Sequence, residues 1–427
     1  MGGVVKDFAR AKEGQAVIID HLPSCVKGFF LPLRSRVSVP QFAHLWTLAL
    51  ALVINLRSAK LVHLSRVAPR STHRTRHGAF LNHADADVPA LLEERSCAAL
   101  AQMKPRAGET ICLILDDHRM AKRGKKMARI SKIWEHKSQK FVHGHIVLFA
   151  AILFRGVVLP WRLHLQKPKG QPGPRYRKLT DLAAQMIREF APPAGVKVRV
   201  LFDAFYLCPT VARACESRGF SYFSVAAKNR SFRVDRSRGR GRKIGLLAPG
   251  LIRHRGKNVR MKRSRGVARL RIVSLDGHLS RIGRVRMVLS KRPGERWKTT
   301  VAIVTNETNL RDREIVSIYE LRWNIEVLFK ELEVDLGLGD YQVISEEGIL
   351  KHLHLCCLAH LALTHHSLEA VGAKATKANK TVRLPTMNQR LENLRSDIRR
   401  EQIRKLFRQG GSHEIVRERV EQYLQAA

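Results

Sequence analysis

Three acidic residues of this sequence stand where a fold could bring them together. Asp117 follows the apolar run 111–115, Asp203 follows the run 198–202, and Glu326 lies in a segment with helical spacing. Short apolar runs are typical of buried strands, so the aspartates are predicted near strand ends and the glutamate on a helix. Hard divalent cations prefer carboxylate oxygens, and two such cations side by side support phosphoryl transfer. The three acids therefore indicate a metal-dependent site for phosphoryl transfer.

The predicted helix around Glu326 carries further polar side chains on one face. Tyr319, Arg322, Glu326 and Lys330 are three or four residues apart, which places them along the same side of a helix. Arg322 and Lys330 then flank Glu326 and are suited to hold phosphates beside a metal-bound carboxylate. The alternative is an amphipathic helix whose polar side faces solvent, and isolated acids after apolar runs are also common without a metal.

The charge of the chain indicates its partner. Lys and Arg total 78 against 36 Asp and Glu, which gives a formal net charge of +42 over 427 residues. Self-repulsion at such a charge destabilises a compact chain unless a polyanion offsets it. We therefore expect double-stranded DNA as the partner, and an anionic membrane surface is the weaker alternative.

Cysteine usage and hydropathy indicate the compartment. The seven cysteines show no C-x-x-C spacing, which argues against a disulfide framework and a zinc ribbon and favours a reducing cytosol. The longest apolar stretch, 45–56, is far shorter than the ~20 residues that span a bilayer, and the N-terminus lacks the apolar core of a signal peptide. We expect a cytoplasmic, nucleoid-associated protein with no membrane segment.

The order of predicted elements favours an α/β fold. A strand meander followed by alternating helix and strand is typical of an RNase H-like mixed sheet. We predict a helical DNA-binding region (1–108), a first part of the catalytic core (109–227), an inserted basic β-subdomain (228–299), a second part of the core with the Glu326 helix (300–370), and a helical C-terminal tail (371–427). The insertion alternates basic and apolar residues, which predicts a sheet with one packed face and one cationic face that lies on DNA.

Basic segments supply further candidate DNA contacts. The segment that begins at Ser71 is either part of a helix-turn-helix or a basic surface loop, and the sequence leaves both open. Besides the polar face of the Glu326 helix, the residues expected to contact DNA are Lys122, Arg123, Lys125, Arg253, Arg255 and Arg265.

The helix pattern resembles a known family. Tyr319, Arg322 and Glu326, with Trp323 after the arginine and Ile325 before the glutamate, are similar to the signature helix of bacterial insertion-sequence DDE transposases, in the branch whose box reads Tyr-Arg-Glu-Lys. The Leu-Asp-Asp-His element at 115–118, the Lys-Arg-Gly-Lys-Lys that follows, the strand end at 202–203 and the insertion before Glu326 resemble that family as well.

The resemblance implies an enzyme and its cofactor. By it, Asp117, Asp203 and Glu326 are the catalytic metal ligands for two Mg²⁺ ions, with Mn²⁺ able to substitute. Asp116 is the alternative for the first catalytic metal ligand. Asp117 is preferred because, in the family's pair of consecutive acids, the second residue is the catalytic one. The implied activity is binding of terminal inverted repeats, DNA strand cleavage and strand transfer, in a homodimer that holds two DNA ends.

One position departs from the family pattern. The final Lys of the box should lie seven residues after Glu326, where this chain has Glu333, and a carboxylate there would repel a phosphate. Lys330, one turn earlier, retains part of the contact. The departure leaves open a weakened, transposase-derived DNA-binding protein, and a structure-selective nuclease with the same core is a third alternative.

One cluster of histidines and cysteines admits a second kind of metal site. His352, Cys356 and His360 share a helical face, which allows a zinc site. Packing within the core is the expected role of these side chains, because they lie on an apolar helix.

Overall fold

A helical segment precedes the first strand. The computed structural model describes residues 22–408 except 71, 136–137, 172–174, 236–238, 264–265, 373–376 and 378–379. Short helical turns over 24–36 lead into four helices: α1 (Val39–Ile54), α2 (Leu61–Val67), α3 (Arg74–His83) and α4 (Val88–Gln102). Helix α1 begins with a capping box, in which the Ser38 and Gln41 side chains and backbone amides bond reciprocally.

The predicted meander and βαβ order are confirmed by the strands and helices that follow. These elements are β1 (Thr110–Ala121), β2 (Ser131–Glu135), β3 (Lys140–Phe154), β4 (Val157–Leu165), α5 (Leu179–Glu189), β5 (Lys197–Phe202), α6 (Pro209–Ser217) and β6 (Ser221–Val225). Strand β3 turns into β4 at Arg155 and Gly156, which both have positive φ as a tight hairpin turn requires. Arg155 also forms a buried ion pair with Glu109 at 2.6 Å, which fixes the start of β1 to this turn.

The segment 228–299 extends the central sheet instead of forming a separate one. It contains β7 (Ser231–Val234), β8 (Arg242–Lys243), α7 (Ile244–Arg255), β9 (Lys257–Arg263), β10 (Gly266–Leu279) and β11 (Gly283–Lys291), and β12 (Val301–Thr305) follows. The described strands form one sheet in the order β2-β3-β1-β5-β6-β12-β11-β10-β7-β8, with β4 paired to β3 and β9 paired to β10. Strand β12 lies between β6 and β11, so the insertion is joined to the core through continuous strand pairing.

The helix predicted around Glu326 is divided into four pieces. It consists of α8 (Asp312–Glu320), a 3-10 turn (Leu321–Trp323), α9 (Asn324–Lys330) and a π-helical turn (Glu331–Asp335). Turns of these two kinds change the pitch of a helix and often mark functional positions. Arg322 therefore lies in a tightened turn immediately before the helix that carries Glu326.

A long apolar helix joins the N-terminal helices to the sheet. Helix α10 (Glu346–Val371) packs against α1, α3 and α4, and also contacts β4 and the last helix, α11 (Met387–Arg408). Most of its residues are buried, as expected for a helix that is apolar on all sides. The helices of 39–102 thus share one hydrophobic core with the sheet. Within the described residues, no helix combines the length and apolar character needed to cross a bilayer.

The segment after Ser71 is helical. Ser71 itself lies outside the described residues, but α3 begins at Arg74, which excludes the basic-loop alternative for 74–83. Arg74 and Arg76 are exposed, whereas His77 and Phe80 are buried against the neighbouring helices. The exposed arginines agree with the helix-turn-helix alternative, and their contact with DNA stays a prediction.

Candidate active site

The register of two parallel strands decides which acids share a face. Strands β1 and β5 pair in parallel, with Leu115 opposite Phe202 as the last pair. Partners across a parallel ladder project to the same side of the sheet, and successive residues alternate. Continued by one residue, this register places Asp116 and Asp203 side by side on one face. Strand alternation directs Asp117 to the opposite face, but Asp117 still interacts electrostatically with both Asp116 and Asp203.

A single arginine links the first of these acids to the glutamate helix. Arg322 donates from Nη1 to Asp116 Oδ2 at 2.8 Å and from Nη2 to Glu326 Oε1 at 2.5 Å. The three side chains are 16%, 16% and 31% exposed for Arg322, Asp116 and Glu326, so the cluster is half-buried and still reaches solvent. Asp203 interacts electrostatically with Asp117, with Arg322 and with Asp116. The strand acids and the helix acid therefore meet around one guanidinium.

Asp117 is held by a different set of partners. Tyr206 donates its hydroxyl to Asp117 Oδ1 at 3.1 Å, and Arg119 Nε donates to Asp117 Oδ2 at 3.3 Å. Asp203 fixes the loop that positions Tyr206, because its Oδ1 accepts the backbone amides of Phe205 and Tyr206 at 2.9 and 3.3 Å. Asp117 thus lies at the margin of the cluster without contact to Arg322 or Glu326 among the bonds described.

Burial perturbs the titration of both acids on the shared face. Burial raises the pKa of Asp116 to about 7, against the lowering effect of Arg322, and the charges of Asp203 and Asp117 raise it further. Burial also raises the pKa of Asp203, although the backbone amides that it accepts act in the opposite direction. Neighbouring carboxylates that resist ionisation in one pocket gain from a bound cation, which neutralises their repulsion.

A match to a known protein family covers the segment that contains these residues. Residues 108–362, more than half of the chain, match the family described as "Transposase DDE domain". The protein belongs to the DDE transposase family. Its central sheet is accordingly the RNase H-like fold of these enzymes, as predicted, and its function is that of a transposase, with DNA as the partner that the family implies. None of the curated proteins matches the sequence.

The metal that DDE transposases generally use fits the donors but not their present arrangement. Asp116, Asp203 and Glu326 offer only carboxylate oxygens, the donors that Mg²⁺ and Mn²⁺ prefer. Among the described residues, however, no three His, Cys, Asp or Glu side chains lie close enough to form a metal-binding group. The guanidinium of Arg322 instead supplies the positive charge that Asp116 and Glu326 share.

The candidate zinc cluster is explained by packing. His352 Nε2 lies 3.1 Å from Gly337 O, Cys356 Sγ lies 3.4 Å from Leu336 O, and His360 Nε2 lies 2.8 Å from Glu331 Oε2. All three side chains are buried. These bonds tie α10 to the segment that follows Glu326, which is the structural role expected for them.

The residues predicted to contact DNA differ in their exposure to solvent. Arg123, Lys125, Arg253, Arg255 and Lys330 are exposed and available to a polyanion, and Tyr319 and Arg322 are half-buried beside the acids. Arg265 lies outside the described residues. Lys122 points inward: its Nζ donates to Gly339 O at 2.5 Å and lies 3.2 Å from the ring centre of Tyr341. Burial lowers the pKa of Lys122 to about 8, so its ammonium belongs to the interior contact.

Some residues of the site were not found from the sequence. Tyr206 and Arg119, the partners of Asp117, carry no motif that singles them out. Asp116 is only the second choice from the sequence, since two consecutive acids are equivalent there. Asp116 is distinguished from Asp117 by the side of the sheet to which each residue points relative to β5. This assignment requires the pairing register of β1 and β5, which the sequence does not give.

Proposed function

We propose that the transposase cleaves and joins DNA at the terminal inverted repeats of an insertion sequence, with Asp116, Asp203 and Glu326 as its metal-binding carboxylates. The observation that supports this assignment is the link from Asp116 through Arg322 to Glu326, beside Asp203 on the same face of the sheet. Asp116 takes the place that the sequence assigned to Asp117.

Each element gives its residue a distinct task. Strands β1 and β5 hold Asp116 and Asp203 rigidly, since both belong to the centre of the sheet. The helical segment brings Glu326 over the same face, and Arg322 and Lys330 offer positive charge on either side of it for the phosphates of the substrate. Two divalent cations, when bound, would activate the attacking oxygen and stabilise the leaving oxygen of the scissile phosphodiester. We propose Mg²⁺ for both, with Mn²⁺ as a substitute.

The exposed Arg and Lys side chains support a path for the DNA duplex across the protein. Arg123 and Lys125 follow the end of β1, the strand that carries Asp116, and Arg253 and Arg255 lie at the end of α7 in the insertion. A phosphate backbone that runs across both groups would gain counterion release at each contact, which makes binding salt-dependent. We also propose that a homodimer holds two DNA ends together during strand transfer.

The test uses the flanks of the gene, which supply the candidate terminal repeat. A labelled duplex of that end is incubated with the purified protein and Mg²⁺ or Mn²⁺. We expect metal-dependent nicking at the repeat boundary, lost by at least about 100-fold in Asp116→Asn and Asp203→Asn, the scale seen when a preorganised charged group of an active site is removed. Asp117→Asn is the matched control, because it removes the same charge one residue away, and we expect it to retain cleavage within about tenfold.

Two outcomes would overturn parts of this proposal. If Asp117→Asn abolishes cleavage while Asp116→Asn retains it, Asp117 is the ligand and the register argument is wrong. If the parent protein binds the end tightly and never cuts it in either metal, the chain is a transposase-derived DNA-binding protein. Glu333 motivates this second function, because its exposed carboxylate occupies the position of the box lysine.

A further inference from the structure

One guanidinium holds two of the three proposed metal ligands. We propose that Arg322 is a built-in counter-ion that keeps divalent metal out of the active site until a DNA phosphate draws the side chain away. The inference rests on the proposed function and adds a control step to it: metal loading is coupled to DNA binding. The observations are the two short bonds from Arg322 to Asp116 and Glu326.

Arginine and metal compete for the same atoms. Arg322 bonds one oxygen of each carboxylate, Asp116 Oδ2 and Glu326 Oε1. A cation that ligates both residues must displace the guanidinium, because two positive charges in a half-buried gap repel strongly. A charge-assisted pair of bonds of this kind is among the stronger contacts of a protein, so displacement by metal alone is unfavourable. The protein without DNA is therefore expected to bind metal weakly.

The surroundings of Arg322 allow it to leave when a phosphate arrives. Its backbone belongs to a 3-10 turn, and the neighbouring side chains of Leu321 and Trp323 are 39% and 63% exposed. Arg322 also interacts with Tyr319, and Lys330, one turn beyond Glu326, is exposed. A phosphate offers paired oxygens as a carboxylate does, and arginine can donate two parallel hydrogen bonds to either group. Release of the acids then coincides with the arrival of the substrate.

This exchange makes DNA and metal cooperative ligands. DNA raises the affinity for metal by removing the blocking charge, and metal must raise the affinity for DNA by the same factor. Such coupling restricts hydrolysis to bound substrate, since the cofactor is absent from the site at other times. The arrangement protects chromosomal DNA from an enzyme whose large positive charge brings it into contact with any duplex.

The experiment measures Mn²⁺ binding directly, by the electron paramagnetic resonance of free Mn²⁺, with and without a duplex of the terminal repeat. We expect weak binding to the parent protein alone and an affinity at least about tenfold higher with the duplex, within the usual range of coupling between two ligands. Without DNA, Arg322→Gln should raise Mn²⁺ affinity by a similar factor. Arg322→Lys should raise it by less, because it keeps the charge but not the planar guanidinium that bonds both carboxylates. Arg119→Gln removes an equal charge from the partner of Asp117 and serves as the matched control.

The outcomes separate this inference from the proposed function. If the parent protein without DNA binds Mn²⁺ as tightly as Arg322→Gln, Arg322 does not block the site and the inference is refuted. A loss of Mn²⁺ binding in both Arg322 variants would also refute it, since the arginine would then organise the acids for metal. If Mn²⁺ binds in no state, or binds equally to Asp203→Asn in the presence of DNA, the metal site itself is refuted. If Arg322→Gln and Arg119→Gln raise Mn²⁺ affinity equally, the increase arises from the general loss of positive charge. The proposed competition between Arg322 and metal for Asp116 and Glu326 would then be refuted.

Discussion

A carboxylate just beyond the Glu326 helix lends itself to a quantitative test. Glu331 begins the π-helical turn, and its Oε2 accepts from His360 Nε2 and from Arg390 Nη2, both at 2.8 Å. Burial by itself would raise the pKa of Glu331, but the hydrogen bond from His360 and the charge of Arg390 outweigh burial and lower it to about 2 from 4.5. Burial lowers the pKa of His360, while its bond to Glu331 acts in the opposite direction, so both His360 and Arg390 contribute to the lowered pKa of Glu331.

The expected magnitude follows from this pKa. A lowering from 4.5 to about 2 corresponds to about 3 kcal/mol of unfolding free energy, at about 1.36 kcal/mol per unit. Because the folded pKa is depressed, this stability is present above the unfolded value of 4.5 and is lost as the pH falls towards about 2. Glu331→Gln should therefore cost up to about 3 kcal/mol near neutral pH and progressively less below pH 4.5. The loss is large because the variant leaves the buried Arg390 without its counter-charge.

The assay is urea unfolding of the parent protein and the variant over a series of pH values. Glu333→Gln is the matched control, since its side chain is 51% exposed two residues away; we expect it to change stability by less than about 0.5 kcal/mol. Equal stability of Glu331→Gln and the parent near neutral pH would refute the reasoning. So would a deficit that stays constant as the pH falls from 4.5 to about 2, because the effect would then not arise from the charge.

Three further changes test other parts of the structure. Glu333→Lys should raise strand transfer from a terminal-repeat duplex, because it restores a positive charge beside the phosphates; equal or lower activity contradicts this. Gly144→Ala in β3 should lower the free energy of unfolding by about 1–3 kcal/mol in urea, since the new Cβ would collide with Ile133 and lie 2.5 Å from the carbonyl oxygen of Met120. An unchanged urea midpoint would show that the neighbouring strands shift enough to accommodate the methyl group. Ser38→Ala should cost about 1 kcal/mol by the same measurement, because it removes the side chain that caps α1; no loss would mean that packing alone sets this helix start.

The periodicity of the sequence predicts much of the fold because local pattern and final structure agree there. The apolar runs that end near Asp117 and Asp203 are β1 and β5, and the predicted helix before the second run is α5. The apolar helix predicted to carry His352, Cys356 and His360 is the buried α10. These elements are long or strongly patterned, and few alternatives bury their apolar residues equally well.

Longer-range pairing was beyond the sequence. The alternating strands of 228–299 predict a β-structure, but only the pairing of β11 with β12 shows that they extend the central sheet. In the same way, the choice between Asp116 and Asp117 depends on the partner strand and not on the residues themselves. The division of the Glu326 helix by a 3-10 turn and a π turn is also set by tertiary contacts, since no Pro or Gly marks either place.

The continuous pairing from β6 through β12 to β11 bears on how such an enzyme could be shortened or recombined. A trimmed version that lacks 228–299 would lose β11, the partner of Ala302 and Ile303, and would expose a bare apolar strand edge. Bare edges of this kind pair with other chains and cause aggregation. The insertion is therefore a structural part of the central sheet and not an independent module that could be removed. An exchange of this segment between transposases would succeed only where the donor supplies a strand that matches β12 in register.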